Sequence, residues 1–228
     1  MSACALVAVV LATAPHAALA ANATSGSPAP PEVLVPNVVL YYQTHNLSCE
    51  EAAVAMALTH QDIVLDQDEI LHEMGADLTA SYVEANNGRM RWGDPYVSFV
   101  GSVDGHEFDT TGYGASYPPL VAVAKRHGAK ILRAGPMEVE TVYRYLWSAH
   151  PVVVWATWDW RWHQRNDYLA FDGRWVPWIG PHDSHVYTAV GIRPDAILVD
   201  DPLRGRYWVP IDAFAAAYSV FDEAIAFA

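Results

Sequence analysis

Basic residues and cysteines are the scarce components of this chain. Against 26 Asp and Glu stand 13 Lys and Arg, a formal net charge of -13 over 228 residues. Nucleic acids and anionic membrane surfaces are held by basic faces that displace counterions, so this balance argues against both as partners. Only two cysteines are present, Cys4 and Cys49, which is too few for a disulfide-stapled scaffold. Paired metal-ligand spacings such as Cys-x-x-Cys or His-x-x-x-His are missing among the candidate ligands. His182 and His185, three apart around Asp183, are the nearest approach to one, and no metal or cofactor is expected. Internal repeats are absent too. What the chain has in quantity is apolar and aromatic surface, 52% hydrophobic residues with nine Trp, enough to bury the core of one ordinary domain.

Residues 1–20 read as a secretory signal. An apolar stretch from Ala5 to Ala14 leads to Ala18-Leu19-Ala20, a small-residue cleavage pattern, and then Ala21. No Lys or Arg precedes the apolar run, and a buried helix of the folded domain is the alternative reading. About 15 apolar residues are short for a membrane span, so no membrane insertion is expected after the leader is removed. That removal would take Cys4 with it and leave Cys49 as the sole thiol of a secreted or cell-envelope protein, unable to form an internal disulfide. A chemical role for Cys49 competes with the commoner fate of a free cysteine, a small hydrophobe in a core helix.

Residues 21–37 are small, polar and proline-rich, as in a flexible tether. The domain is expected to span residues 38–228. Val38 to Tyr42 has strand character and delivers Gln43 into a loop. Ser48 followed by Glu51 predicts a capping box at the start of a helix running to Leu58, with Cys49 at its first position. A second helix is expected over residues 67–74, started by Asp66 and stopped by Gly75. Residues 86–117, rich in glycine and proline, predict a long ordered loop. A third helix carries Pro118 and Pro119 in its first turn with Gly128 after it, and a fourth runs from Glu138 to Trp147. Strands are expected at residues 151–157, 185–192, 196–200 and 224–228. Helices early and strands late indicate an α+β domain with a mostly antiparallel sheet.

A thiol at a helix N-terminus feels the positive end of the helix dipole, which favours the attacking thiolate. Glu50 and Glu51 oppose this, so an imidazole partner is needed. His185 is the strongest candidate, because it opens the apolar strand run Val186 to Ile192 and lies 136 residues after Cys49, within the papain-type interval of about 130 to 150 residues. His182, in a loop after Pro181, and His163, in the tryptophan-rich stretch, are its competitors. The next strand ends in Asp200-Asp201-Pro202. Alternation sends the two carboxylates to opposite faces, so only one can orient the base, and the alternative is a plain Asp-Pro turn. Gln43, six residues before Cys49, can donate to an oxyanion beside the Cys49 amide.

These segments resemble the bacterial papain-like peptidases typified by the double-glycine-leader, bacteriocin-processing enzymes, especially their stand-alone, secreted C39-like relatives. In that family a glutamine precedes the nucleophilic cysteine by six residues. A histidine opening a strand is followed sixteen residues later by an aspartate before proline, as Gln43, Cys49, His185 and Asp201 are here. Gly112-Tyr113-Gly114 and Tyr117-Pro118-Pro119-Leu120 also look like the stand-alone relatives. The resemblance implies the papain-like fold, a peptide or protein substrate, and Asp201 rather than Asp200 as the orienting residue. Cys49-Glu50 departs from the Cys-Gly usual in the family, and the membrane domain of the transporter-linked members is not encoded.

Three functional classes follow. The first is a secreted cysteine peptidase or amide hydrolase with Cys49 as nucleophile, His185 as base, Asp201 as orienter and Gln43 as oxyanion donor. The second is a papain-like binding module whose thiol Glu50 leaves inactive, and the third a His-rich metal-binding protein. The indoles of Trp155, Trp158, Trp160, Trp162, Trp175 and Trp178 can line a substrate groove, although core packing is the commoner use of such area.

Overall fold

A computed structural model describes residues 31–180 and 184–228 of the protein. The leader at residues 1–20, most of the expected tether, and His182 lie outside the described residues. In chain order the elements are β1 (Val33–Leu34), α1 (Cys49–Thr59), α2 (Gln67–Met74), β2 (Ala76–Asp77), β3 (Tyr82–Val83), β4 (Met90–Trp92), β5 (Phe99–Gly101), β6 (Gly112–Gly114) and α3 (Tyr117–Arg126). There follow β7 (Ile131–Pro136), α4 (Val139–Trp147), β8 (Val152–Thr157), β9 (Tyr168–Ala170), β10 (Trp175–Val176), β11 (Ser184–Arg193), β12 (Ala196–Asp201), β13 (Gly205–Pro210), α5 (Ile211–Tyr218) and β14 (Glu223–Phe227). Among the described residues no helix is long and apolar enough to cross a membrane.

The main sheet has seven strands in the order β13-β12-β11-β8-β14-β7, with β1 added to β11, and every pairing in it is antiparallel. β11 is its longest strand, buried from His185 to Ile192. Such a run buries both faces, and helices cover both. One core joins α1, α2 and α3 to Val153, Trp155, Val186 and Ile225, while the opposite core joins α4 and α5 to Val152, Val154, Tyr187 and Ala224. The α+β architecture with a mostly antiparallel sheet is therefore as expected, and α4 and α5 add a second helical layer from the later half of the chain.

Helix α1 is buried along its whole length, as an alanine-rich helix without a polar stripe must be. Its small side chains let β11 come close enough for Thr188 Oγ1 to donate to the Ala53 carbonyl at 2.8 Å. Helix α2 begins where expected, with the Asp66 carboxylate accepting from the Asp68 amide at 2.8 Å, and ends at Gly75 with φ 75°.

Three expectations are corrected. The capping box does not form: Ser48 Oγ accepts from the amides of Thr44 and His45 and donates to Gln67 of α2, while Glu51 is buried with both carboxylate oxygens unpartnered. Val38 to Tyr42 is not a strand, because its backbone is satisfied by side chains, Val39 N–H donating to Thr59 Oγ1 and Arg206 donating to the Val38 carbonyl. The ladder contact comes earlier, where β1 pairs with Gly191 and Ile192 of β11. The segment from 86 to 117 is not all loop. It contributes β4, β5 and β6, whose brevity and glycines hid their pairing.

Candidate active site

A cavity of about 200 Å³ opens where the N-terminus of α1 meets the start of β11, and Cys49, Glu50, Tyr113, Trp158, His185 and Leu203 are among its walls. Cys49 occupies the first position of α1, where the amide has no intrahelical acceptor. The residue is 8% exposed. Burial pushes its thiol well up, and the charge and hydrogen bond of Glu50 push it further, against a lowering contribution from the Val186 backbone. The helix-tip advantage expected for the thiolate is thus outweighed in the resting site, and Sγ–H donates to Glu50 Oε2 at 3.1 Å.

His185 is buried at the start of β11, in register with Ala156 of β8. Its Nε2 meets Asp201 Oδ1 at 3.0 Å, and the Trp158 ring stands edge-on to the imidazole with centroids 5.0 Å apart. Asp201 is fully buried. Burial alone would raise its carboxyl, but the hydrogen bond and charge of His185, with donors from Tyr207 and Leu203, hold it well below the usual range. Its neighbour Asp200 points the other way, into a two-point pair with Arg206 at 2.6 and 2.7 Å. Alternation along β12 sends the two carboxylates to opposite faces.

Gln43 is placed differently. Its Nε2 donates to the carbonyls of His45 and Asn46, both at 2.8 Å, and it borders a shallow depression with Asn46 and Asp104 rather than the cavity of Cys49. His163 pairs with Asp159 at 2.9 Å and does not line the cavity. Among the described residues the group of side chains able to share an ion is Glu69, Glu73 and His127, none of them at the cavity. There Glu73 is already paired with His127 and Arg126.

Sequence reasoning missed Arg204. Its guanidinium lies 3.9 Å from the Trp158 ring centroid, pairs with Asp201, and donates to the Trp158 carbonyl and the Tyr187 hydroxyl at 3.0 Å each. One signal was available: Asp201 does open a turn, accepting from the amides of Leu203 and Arg204, and an Asx turn returns the third residue to the aspartate. The tryptophans divide between the two uses. Trp155 is core, donating to the Ala115 carbonyl at 3.0 Å, Trp158 walls the cavity, and Trp162 and Trp175 are exposed.

Residues 35–225 match the family model described as the Peptidase_C39 like family. The chain belongs to that family. This C39-like chain also shares its fold with a candidate C39-like peptidase from Bacillus anthracis known from a crystal structure, at TM-score 0.71 and 23% identity, covering 87% of this chain and 98% of the other. No curated protein sequence matches it. Membership places the chain among C39-like peptidases, and the cavity between α1 and β11 is where this member brings a thiol, an imidazole and a buried carboxylate together.

Proposed function

We propose that this protein is an exported cysteine peptidase or amide hydrolase acting on peptide bonds of a peptide or protein substrate. The observation that carries the reading is that Cys49 and His185 face one cavity while buried Asp201 engages Nε2 of the same imidazole. With Nε2 committed, proton exchange at the reacting centre falls to Nδ1 of His185. Sγ attacks the carbonyl carbon, the C=O pair moves onto oxygen, and the Cys49 amide faces the developing charge. Collapse breaks the C–N bond, the leaving amine takes a proton from His185, and water then hydrolyses the acyl-enzyme with His185 as base. For Gln43 to join the oxyanion site its amide must leave the carbonyls of His45 or Asn46, a small loop rearrangement on substrate binding. The leader sequence supports export.

Digestion of a mixed peptide library, with Cys49→Ala and His185→Ala as controls, tests this. Hydrolysis is expected to fall at least 1,000-fold in either variant, in line with the loss of one member of such a unit. Cleavage that survives in Cys49→Ala rules the mechanism out. A second reading, a binding module with an idle thiol, is favoured by the burial of Cys49 and the carboxylate on its sulfur. A thiol that alkylates only in the range of free cysteine, about 8.5, and without dependence on His185, would favour that second reading.

A further inference from the structure

Glu50 stands beside the nucleophile where the resemblance leads one to expect glycine, and its surroundings are built to receive a carboxylate. The side chain is 4% exposed and forms part of the cavity wall. Oε1 accepts from the Ala115 amide at 2.8 Å. The backbone opposite is Gly114, at φ +113°, where an added Cβ would lie 2.0 Å from Oε1. A side chain at Gly114 would therefore displace the carboxyl, and the conformation itself favours glycine. Oε2 turns away from this seat and lies 3.1 Å from Sγ of Cys49. One carboxylate oxygen is thus anchored on the protein and the other on the reacting atom.

Resting on the cysteine-hydrolase reading, we propose that Glu50 is a further catalytic residue that takes the Sγ proton across this contact and, as a neutral acid, holds the thiolate with the same hydrogen. The step balances internally. The S–H bond breaks with its electron pair left on sulfur, an O–H bond forms at Oε2, and one negative charge moves from carboxylate to thiolate. The buried pocket carries the same net charge before and after, so no charge need be brought in from water. In this cycle His185 enters as an imidazolium paired with Asp201, gives its Nδ1 proton to the leaving amine and recovers one from the hydrolytic water, while Glu50 returns the Sγ proton when the thiolate leaves the acyl group.

The titratable groups that line the same cavity as Glu50 are Cys49 on α1, Tyr113 on β6, His106 and Glu107 in the loop before it, and His185 on β11, and Glu51 on α1 feels its charge. Burial raises Glu50 to about 7, close enough to neutrality for it to act as a base near physiological pH. Glu51 is also buried, but it touches no reacting atom and has no hydrogen-bond partner.

Alkylation of Cys49 by iodoacetamide between pH 5 and 9 tests the proposal without a substrate. The wild-type rate should rise through about pH 7, and Glu50→Gln, which keeps the shape and the acceptor for Ala115, should lose that rise and react at least tenfold more slowly at pH 7.5. Glu50→Ala should be equally slow and recover in part with added formate. A reactive thiol whose rate and pH profile are unchanged or faster in Glu50→Gln overturns the role of Glu50 alone, since a merely repelling carboxylate predicts acceleration. A wild-type thiol inert throughout overturns the nucleophile reading and this role with it.

Discussion

Asp201 accepts from His185 Nε2, from the amides of Leu203 and Arg204, from the Arg204 side chain and from the Tyr207 hydroxyl. Every one of these is a donor, so a carboxylate fits and an amide does not: turning Asp201 into Asn sets its NH₂ against another donor whichever way it is rotated. Breaking a buried charge pair costs 3–5 kcal/mol, and Arg204 is 35% exposed, so water recovers part of that and about 2 kcal/mol is expected. Asp201→Asn should lower kcat/KM at least 100-fold and Tm by several degrees; wild-type values in steady-state assay and thermal melt would refute this account. The strand opened by His185 and the opposite facing of Asp200 and Asp201 were readable in the sequence because strand periodicity is local, whereas the choice of Asp201 over Asp200 came with the family resemblance. Arg204 left only the Asp-Pro turn as a trace, since it reaches Asp201 through the β12–β13 turn, and Trp158 was one of six candidate groove residues until the loop after β8 set it against the imidazole; both paths depend on the assembled sheet.

At the level of elements, the start of α1 is held from outside rather than by its own first turn. Gln67 of α2 accepts from Ser48, the loop carrying Gln43 folds back on its own carbonyls, and Gly114 of β6 leaves room for the Glu50 carboxyl. Gly114→Ala would put a methyl 2.0 Å from Oε1 on a backbone at φ +113°. We expect a loss of about 2–4 kcal/mol from strain and displacement together, with Cys49 alkylation altered even below the melting temperature. A Gly114→Ala protein with wild-type Tm and alkylation rate would show that the seat does not constrain Glu50. The dependence on α2 explains why the Ser48/Glu51 pattern misled: a capping box is a local bargain, and Gln67, nineteen residues away, outbids it. The ends of α2 and α3 kept to local chemistry, Asp66 and Gly75 for the one and Pro118 and Pro119 for the other. Strands β4, β5 and β6 have three residues each, too few for an alternation to register.

Over the whole molecule, burial of acids on an acidic chain links stability to pH. Glu50 and Glu223 are both raised to about 7 by burial, and Glu51 is raised well above its usual value, first by burial and then by the Glu50 charge. Unfolded, each would titrate near 4.3. Between about pH 4.3 and 7 the folded state therefore binds more protons than the unfolded one, and stability falls as pH rises. The contribution is complete below the unfolded value and lost through the folded one. Asp201, held low, works oppositely: its stabilisation is present above about pH 4 and fades as pH falls. Maximum stability is expected near pH 4–5, with Tm lower at pH 8 than at pH 5, each kcal/mol being worth about 2–4 °C in a domain of this size. Repulsion among surface carboxylates acts in the same direction but is screened by salt, whereas the buried acids are not. Thermal melts at pH 5 and pH 8 in 0.5 M salt isolate the buried term, and Glu51→Gln should narrow the gap between them. A Tm equal or higher at pH 8 in wild type would mean that these carboxyls find partners or water in solution, and the reasoning from their burial would fail with it.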